Sequence, residues 1–353
     1  MNIPYPKKMK AIYLIGNMKM EVREIPTPEV LPGGALLKVH SSGLCGSDIN
    51  RFRFTSSDEE KVIGHEAAGQ IVAVGAGVTV VSPGDRVVIG HVHIPCGYCV
   101  YCRHGSPAMC HKFKESKVIP GGYAQFISLS SDHLAHTVIK IPSGVSYAEA
   151  TFVDPLACCI RAIKHAAVQP FDKVVVLGAG IMGQLFVQLL RELNAKTLVL
   201  DISDYRLAKA KTYQADYIFN SKQSNLVDKV LSATDNIGAD VVLLSYVTQD
   251  ILDQSFGYVR DGGKVCIFAP PIREFNLCLN FYEFFRRELS MYGSYSSTIS
   301  DLEATMAYIA SKKIEVQSLI TQYSDLDHMQ SVMENLDDKQ LKVIIKPNLG
   351  MDD

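Results

Sequence analysis

Val174-Val175-Val176-Leu177 runs directly into Gly178-Ala179-Gly180-Ile181-Met182-Gly183, and this ten-residue stretch decides the fold. Four apolar, mostly β-branched residues read as a buried strand, and the apolar periodicity from Ile181 to Leu193 reads as a helix. Between them lies G-x-G-x-x-G. Gly178 allows a tight turn, Gly180 lets backbone approach a pyrophosphate, and Gly183 lets helix pack on strand. The helix start at Ile181 and Met182 offers free N–H groups and a positive dipole end to phosphates. Glycine spacing alone is a weak signal. Here the next strand, Leu198-Val199-Leu200, ends on Asp201 about twenty residues on, where a carboxylate accepts from ribose hydroxyls and repels a 2′-phosphate. The expected cofactor is therefore NAD rather than NADP, and Arg206 is a further cofactor-binding candidate.

Outward from this turn the chain has two textures. After Tyr147 a helical stretch, 148–167, gives way to strands at 173–177, 197–200, 241–245 and 264–268, alternating with helices such as 205–213. Strand–helix alternation at this spacing means βαβ units and a doubly wound parallel sheet. Residues 1–150 are different: short alternating runs at 35–40, 69–74 and 85–89 are separated by Pro32-Gly33-Gly34 and Pro83-Gly84-Asp85, the pattern of a β-rich, barrel-like domain. A helix at 301–310 and a strand at 342–345 follow. The expected class is α/β, with two domains whose textures change near Tyr147.

At 353 residues the chain exceeds what one hydrophobic core usually serves. Its composition, 47% hydrophobic and 20% charged, is that of an ordinary globular protein. With 35 basic against 37 acidic residues, no basic surplus points to nucleic acid or an anionic membrane. No run reaches the ~18 apolar residues of a membrane span, and MNIPYPKKMK lacks the apolar core of a signal peptide. The expected location is the cytoplasm.

Four of the nine cysteines are bunched as Cys96-x2-Cys99-x2-Cys102-x7-Cys110. In such a chain, clustered thiols suggest metal rather than disulfides. Four soft ligands with no open position suit a structural zinc; an iron–sulfur cluster is the competitor, since four cysteines serve it too. A second candidate lies at Gly43-Leu44-Cys45-Gly46-Ser47-Asp48 and Gly64-His65-Glu66. One thiolate and one imidazole on separate segments, with acids beside them, suit a catalytic zinc with an exchangeable position. Taken singly, His65 reads as a satisfied core histidine and Cys45 as small apolar filler.

Taken together, the Gly64-His65-Glu66-x2-Gly69-x5-Gly75-x2-Val78 stretch, the four-cysteine lobe and the glycine turn resemble, in this order and over nearly the whole chain, the zinc-containing medium-chain alcohol dehydrogenase family. The resemblance implies a GroES-like catalytic domain, 1–150 plus 293–353, around a central Rossmann NAD-binding domain, 151–292, with two Zn2+ per chain, NAD, and a homodimer or homotetramer. It implies that Cys45 and His65 bind the catalytic zinc, with Glu66 beside the metal as neighbour or ligand. It implies that Ser47 hydrogen-bonds the substrate oxygen and that Asp48 orients a ligand. The third protein ligand would come from Val153-Asp154-Pro155-Leu156. Ethanol-type members have Cys there and polyol types have Glu-Pro-Leu. This chain has Asp154, one methylene shorter, which binds directly, binds through water or stands off. A second departure is Asn50, where many members carry a histidine that passes the proton to solvent. Cys158 and Cys159 read as helix packing residues.

The implied reaction is hydride transfer between a secondary alcohol and NAD. Asp154-Pro155-Leu156 resembles the sorbitol, threonine, butanediol and polyol-phosphate branch, so a polyol, cyclitol or sugar alcohol, with or without phosphate, is the first expectation. A 2-amino alcohol such as threonine is the alternative. A zinc-free reductase or a non-catalytic NAD-binding regulatory or structural protein is the reading from another class; the intact Cys45, Ser47 and His65 argue against it.

Overall fold

Residues 3–56, 60–271, 275–277 and 279–348 are described by the computed structural model of the chain. The strand that opens the glycine turn is the centre of a six-stranded sheet. Its order is Tyr217–Asn220, Lys196–Asp201, Lys173–Leu177, Ala239–Leu244, Val259–Ile267, Ser290–Gly293, and every pair is parallel. Counted along the chain this is 3-2-1-4-5-6, the Rossmann order, whose switch point lies between Lys173–Leu177 and Ala239–Leu244. Val174, Val175 and Val176 are fully buried, because a parallel sheet is covered on both faces and so reads as a continuous apolar run.

The other sheet has seven strands. Six follow the order Ile320–Ser324, Lys342–Ile345, Ala35–Gly43, Glu66–Val74, Arg86–Ile89, Val138–Lys140, and Phe126–Leu129 pairs separately with Ala35–Gly43. All pairs are antiparallel except Ile320–Ser324 with Lys342–Ile345. A three-stranded sheet, Lys19–Pro26, Lys8–Gly16 and Lys61–Val62, accompanies it. Register places the functional residues. Gly43 lies opposite Glu66 on one side and opposite Ile344 on the other. One strand end therefore gathers chain segments near positions 45, 66 and 342.

The chain forms two compact units, Met1–Asp154 with Ser297–Asp353, and Pro155–Ser296; the breaks fall a few residues after the expected 150 and 293. One expectation is corrected. The stretch 148–167 is two helices, Tyr147–Ala150 and Val153–Ala166. Pro155 has no N–H and its ring would clash with the residue 151 carbonyl in a continuous helix; restarting at Val153 puts it in a first turn, where proline is tolerated. Likewise 301–310 is two short helices, Ile299–Leu302 and Thr305–Ala310. No helix among the described residues is long and apolar enough to cross a membrane.

Candidate metal and dinucleotide sites

Cys45 leaves the Ala35–Gly43 strand and heads the helix Gly46–Phe54, while His65 and Glu66 sit at the start of the Glu66–Val74 strand. The pairing of Gly43 with Glu66 brings these ends together. The donor atoms of Cys45, His65 and Glu66 all lie within 4.8 Å of one another. Ligand atoms at zinc bond lengths in a tetrahedron stand about 3.6 Å apart, so the trio is a candidate zinc site that needs only a small closure. Thiolate, imidazole and carboxylate are all zinc donors, and three of them leave one position open.

Asp48 supports the trio from below. It is fully buried. Its Oδ2 accepts from the Tyr123 hydroxyl at 2.7 Å and from the Cys45 N–H at 3.4 Å. Its Oδ1 has no hydrogen bond and faces His65 Nδ1 at 3.6 Å. A carboxylate behind one ring nitrogen leaves the other for a metal. Burial opposes charge on both groups. His65 nevertheless holds Asp48 below the usual carboxylate range, and Asp48 with Cys45 holds His65 well above the usual imidazole value. A cation held by these donors would take the place of that proton, because a ligating histidine is neutral. Ser47 is exposed in the first turn of the helix and Asn50 is half-buried one turn on.

The structure does not bring Asp154 into the trio. Its carboxylate is buried with His91, Oδ1 to Nε2 3.8 Å. The His91 Nδ1 accepts from the His93 N–H at 2.9 Å, so the neutral ring carries its proton on Nε2, toward Asp154. The side chain ends one methylene short of a glutamate, and the family's third-ligand position is here a carboxylate standing off the metal donors. Burial pushes His91 down to about 3 and, with the Glu66 charge, pushes Asp154 up from 3.8 to about 7. Since the folded value lies above the unfolded one, the stability tied to the protonated form is complete below about pH 4 and is lost as pH rises through 7. In metal-stripped protein, Asp154→Asn is expected to raise the urea midpoint at pH 8, by at most about 4 kcal/mol in stability, and to leave it unchanged near pH 4. An equal effect at both pH values would show that Asp154 does not titrate in this range.

The four-cysteine lobe is closed. The Cys99–Cys102 sulfurs are 3.5 Å apart and the Cys96–Cys102 sulfurs 3.9 Å, and all four sulfurs lie within 4.8 Å of one another. Four thiolates at 2.3 Å from one zinc stand about 3.8 Å apart. A multi-iron cluster spreads its cysteines over separate irons and needs wider spacing. The Cys96 and Cys99 N–H groups donate to Cys110 Sγ and Cys96 Sγ at 3.4 and 3.3 Å, which favours thiolates.

In the Rossmann unit, Gly178 has φ +98°, a left-handed turn that favours glycine, and a Cβ on Gly183 would strike the Gly178 carbonyl. Gly180 differs. It caps the helix Ile181–Glu192 with φ −64°, and a Cβ there would meet no protein atom within 4 Å. Neither backbone angle nor protein packing demands glycine, which fits a surface kept clear for a bound phosphate. Ile181 and Met182 begin the helix behind it. Asp201 ends its strand, nearly buried, and accepts from the Ala179 N–H at 2.6 Å and the Ser203 N–H at 2.8 Å. Gln184 donates to the Ala179 and Arg206 carbonyls at 2.7 and 3.0 Å, tying the turn to the helix Asp204–Thr212 that carries Arg206. Cys159 is buried with its thiol on the Met182 carbonyl at 3.8 Å, a packing role; Cys158 is half-buried. Asp201→Ala is expected to raise the NADP-to-NAD ratio of kcat/KM by about tenfold or more, the equivalent of 1.4 kcal/mol. An unchanged ratio would remove Asp201 from the ribose.

Three features escaped sequence reasoning. Tyr123 donates to Asp48, Lys342 donates to Glu66, and Gly43 leaves the room for that pair. The partners are 75 and 276 residues apart. The one available signal was a lysine opening the otherwise apolar strand Lys342–Ile345.

Among the described residues, two clusters that could hold a metal ion and a Rossmann sheet with an acid after its second strand fit a metal-dependent, dinucleotide-linked dehydrogenase. The alcohol dehydrogenase GroES-like domain profile matches residues 31–143, and the zinc-binding dehydrogenase profile matches residues 182–311. A sorbitol dehydrogenase of Halalkalibacterium halodurans is 31% identical over 87% of this chain and 89% of its own length. A D-arabitol-phosphate dehydrogenase of Enterococcus avium is 28% identical over 94% and 95%. The crystal structure of an Escherichia coli CFT073 alcohol dehydrogenase complexed with NADH superposes with a TM-score of 0.85 at 26% identity, covering 97% of this chain and all of that one. This chain belongs to the zinc-containing medium-chain alcohol dehydrogenase family. It is an alcohol dehydrogenase with zinc and NAD as cofactors.

Proposed function

We propose that the protein oxidises a secondary alcohol of a polyol, cyclitol or sugar alcohol, free or phosphorylated, with NAD, and reduces the corresponding ketone. One observation carries the substrate class: the candidate metal donors are a thiolate, an imidazole and the Glu66 carboxylate, and a second buried carboxylate, Asp154, stands off them with His91. Carboxylates of this kind match neighbouring hydroxyls better than an apolar chain. The sorbitol and arabitol-phosphate dehydrogenases among its relatives support the same class.

Cys45, His65 and Glu66 would hold the catalytic zinc, and Cys96, Cys99, Cys102 and Cys110 the structural one. When bound, the catalytic zinc supplies Lewis acidity that lowers the pKa of a hydroxyl, and NAD supplies the hydride acceptor. Ser47 Oγ, exposed beside Cys45, takes the hydroxyl proton and hands it to water; Asn50 cannot titrate, so solvent carries it onward. Asp48 keeps the His65 ring in place and Tyr123 keeps Asp48 in place. Gly178, Gly180, Ile181, Met182 and Gly183 seat the pyrophosphate, and Asp201 and Arg206 the adenosine end.

A homodimer or homotetramer belongs to this reading. Its support is the sheet edge Ser290–Gly293 and the preceding helix, where Phe281, Tyr282 and Phe285 are 77%, 70% and 82% exposed. The cytoplasm is the proposed location, since free thiols suit a reducing compartment. The test is NADH formation by the zinc-loaded enzyme across sugar alcohols, cyclitols, their phosphates, threonine, 2,3-butanediol and simple alcohols. A polyol or cyclitol, free or phosphorylated, should give the highest kcat/KM. Preference for threonine or a simple alcohol would overturn the substrate class and leave the dehydrogenase standing.

A further inference from the structure

Lys342 is one of the most buried residues of the chain, 1% exposed, and a lysine is rarely buried unless its charge is used. Its Nζ donates to Glu66 Oε2, with both side chains 1% exposed, and to the Leu44 carbonyl at 3.3 Å. It lies 5.6 Å from the centroid of the Phe152 ring. Leu44 immediately precedes Cys45. A single ammonium group thus grips the carboxylate donor of the trio and the backbone leading into the thiolate donor, from a strand near the other end of the chain. Space is reserved for the pair as well. A Cβ on Gly43 would come within 2.7 Å of Lys342 Cε and 2.9 Å of Nζ, and closer still to Glu66 Oε2.

We propose that Lys342 is a positioning residue of the catalytic metal site: by holding Glu66 Oε2 and the Leu44 carbonyl it presents Glu66 Oε1 and Cys45 Sγ to the zinc together. The inference rests on the trio being the catalytic zinc site. A carboxylate without this partner could turn either oxygen, or neither, toward the metal, and the turn before Cys45 would lose a tether. The ammonium also offsets the Glu66 charge, so that the zinc meets one carboxylate oxygen already anchored and one free. An ion pair that served the fold alone would stabilise the chain without touching metal exchange or the metal's coordination.

Lys342→Met separates the two. The measurements are zinc content per chain, the rate of zinc release to a chelator, and the visible spectrum of protein whose catalytic site carries cobalt. The expected result is at least tenfold faster release of one zinc, a shifted cobalt band, and unchanged release from the four-cysteine lobe. Lys342→Met that folds, keeps both zincs, releases them at the native rate and shows the native cobalt band would overturn the proposal. If Lys342→Met yields no folded protein, Lys342→Gln decides. Its neutral, shorter amide carries no charge to hold Glu66 Oε2, so faster release and a shifted band are expected; native values on both would overturn the proposal. Native protein that binds zinc only in the four-cysteine lobe would overturn the trio itself, and the proposal with it.

Discussion

Cys45→Ala and His65→Ala, each alone, are expected to lower kcat by at least about 10³-fold while NADH still binds within about twofold of native. Each donor comes from a different segment, Cys45 from the head of the helix Gly46–Phe54 and His65 from the residue before the Glu66–Val74 strand. Removing either leaves two donors where zinc needs three protein ligands to stay bound with an open position. Lewis acidity contributes several kcal/mol of transition-state stabilisation, and each 1.36 kcal/mol is a factor of ten in rate. The glycine turn lies in the other compact unit, with its own core of Val175, Leu177, Leu198, Leu200, Val242 and Leu244. Cofactor affinity, read by NADH fluorescence, therefore has no reason to fall. Metal analysis should drop from two zincs to one, matching the two donor clusters. Turnover retained in either variant would mean that the metal is elsewhere.

The second large effect is on stability. Cys99→Ser is expected to lose the other zinc and to lower the melting temperature by on the order of 10 °C, with kcat of the still-folded protein near native. The lobe has little else to hold it. Its buried apolar residues are Ala108, Cys110 and Phe113, and its helices, Val100–Arg103, Pro107–Met109 and His111–Glu115, have four, three and five residues. Helices that short are not stable on their own, so metal–thiolate bonds would do the work of a core, as in small domains where zinc binding contributes about 10–16 kcal/mol to folding. A serine hydroxyl is a neutral, harder and weaker ligand than the thiolate it replaces. Unchanged melting with two zincs bound would show that the lobe folds without its metal.

Much of this protein is legible along the chain because the signals are local. The apolar run at 174–177, three glycines and an acid twenty residues later specify a strand, a turn and a helix from neighbouring residues alone. Four cysteines within fifteen positions specify a closed four-sulfur cluster, because the loop that carries them is short enough to bring them together. The two textures of the chain, alternating runs and strand–helix repeats, specify the two sheets through their periods. The candidate metal trio was half-legible: its residues stood out, but whether Glu66 or Asp154 comes within reach of Cys45 and His65 depended on the packed side chains. Pro155 likewise announced a helix start, and only the packed structure showed the break at Thr151 and Phe152.

What the residues alone determined, then, is which groups can do chemistry: the NAD turn, the thiolates, His65 and the acids around them. The tertiary structure decided how those groups are paired. Gly43 stands between Glu66 and Ile344 by strand register, which delivers Lys342 to Glu66 across 276 residues and leaves Asp154 to His91. Tyr123 reaches Asp48 in the same way. Such contacts carry no local pattern. They follow from burial, because a charge taken out of water must meet a partner, and only the packed fold determines which partner is within reach.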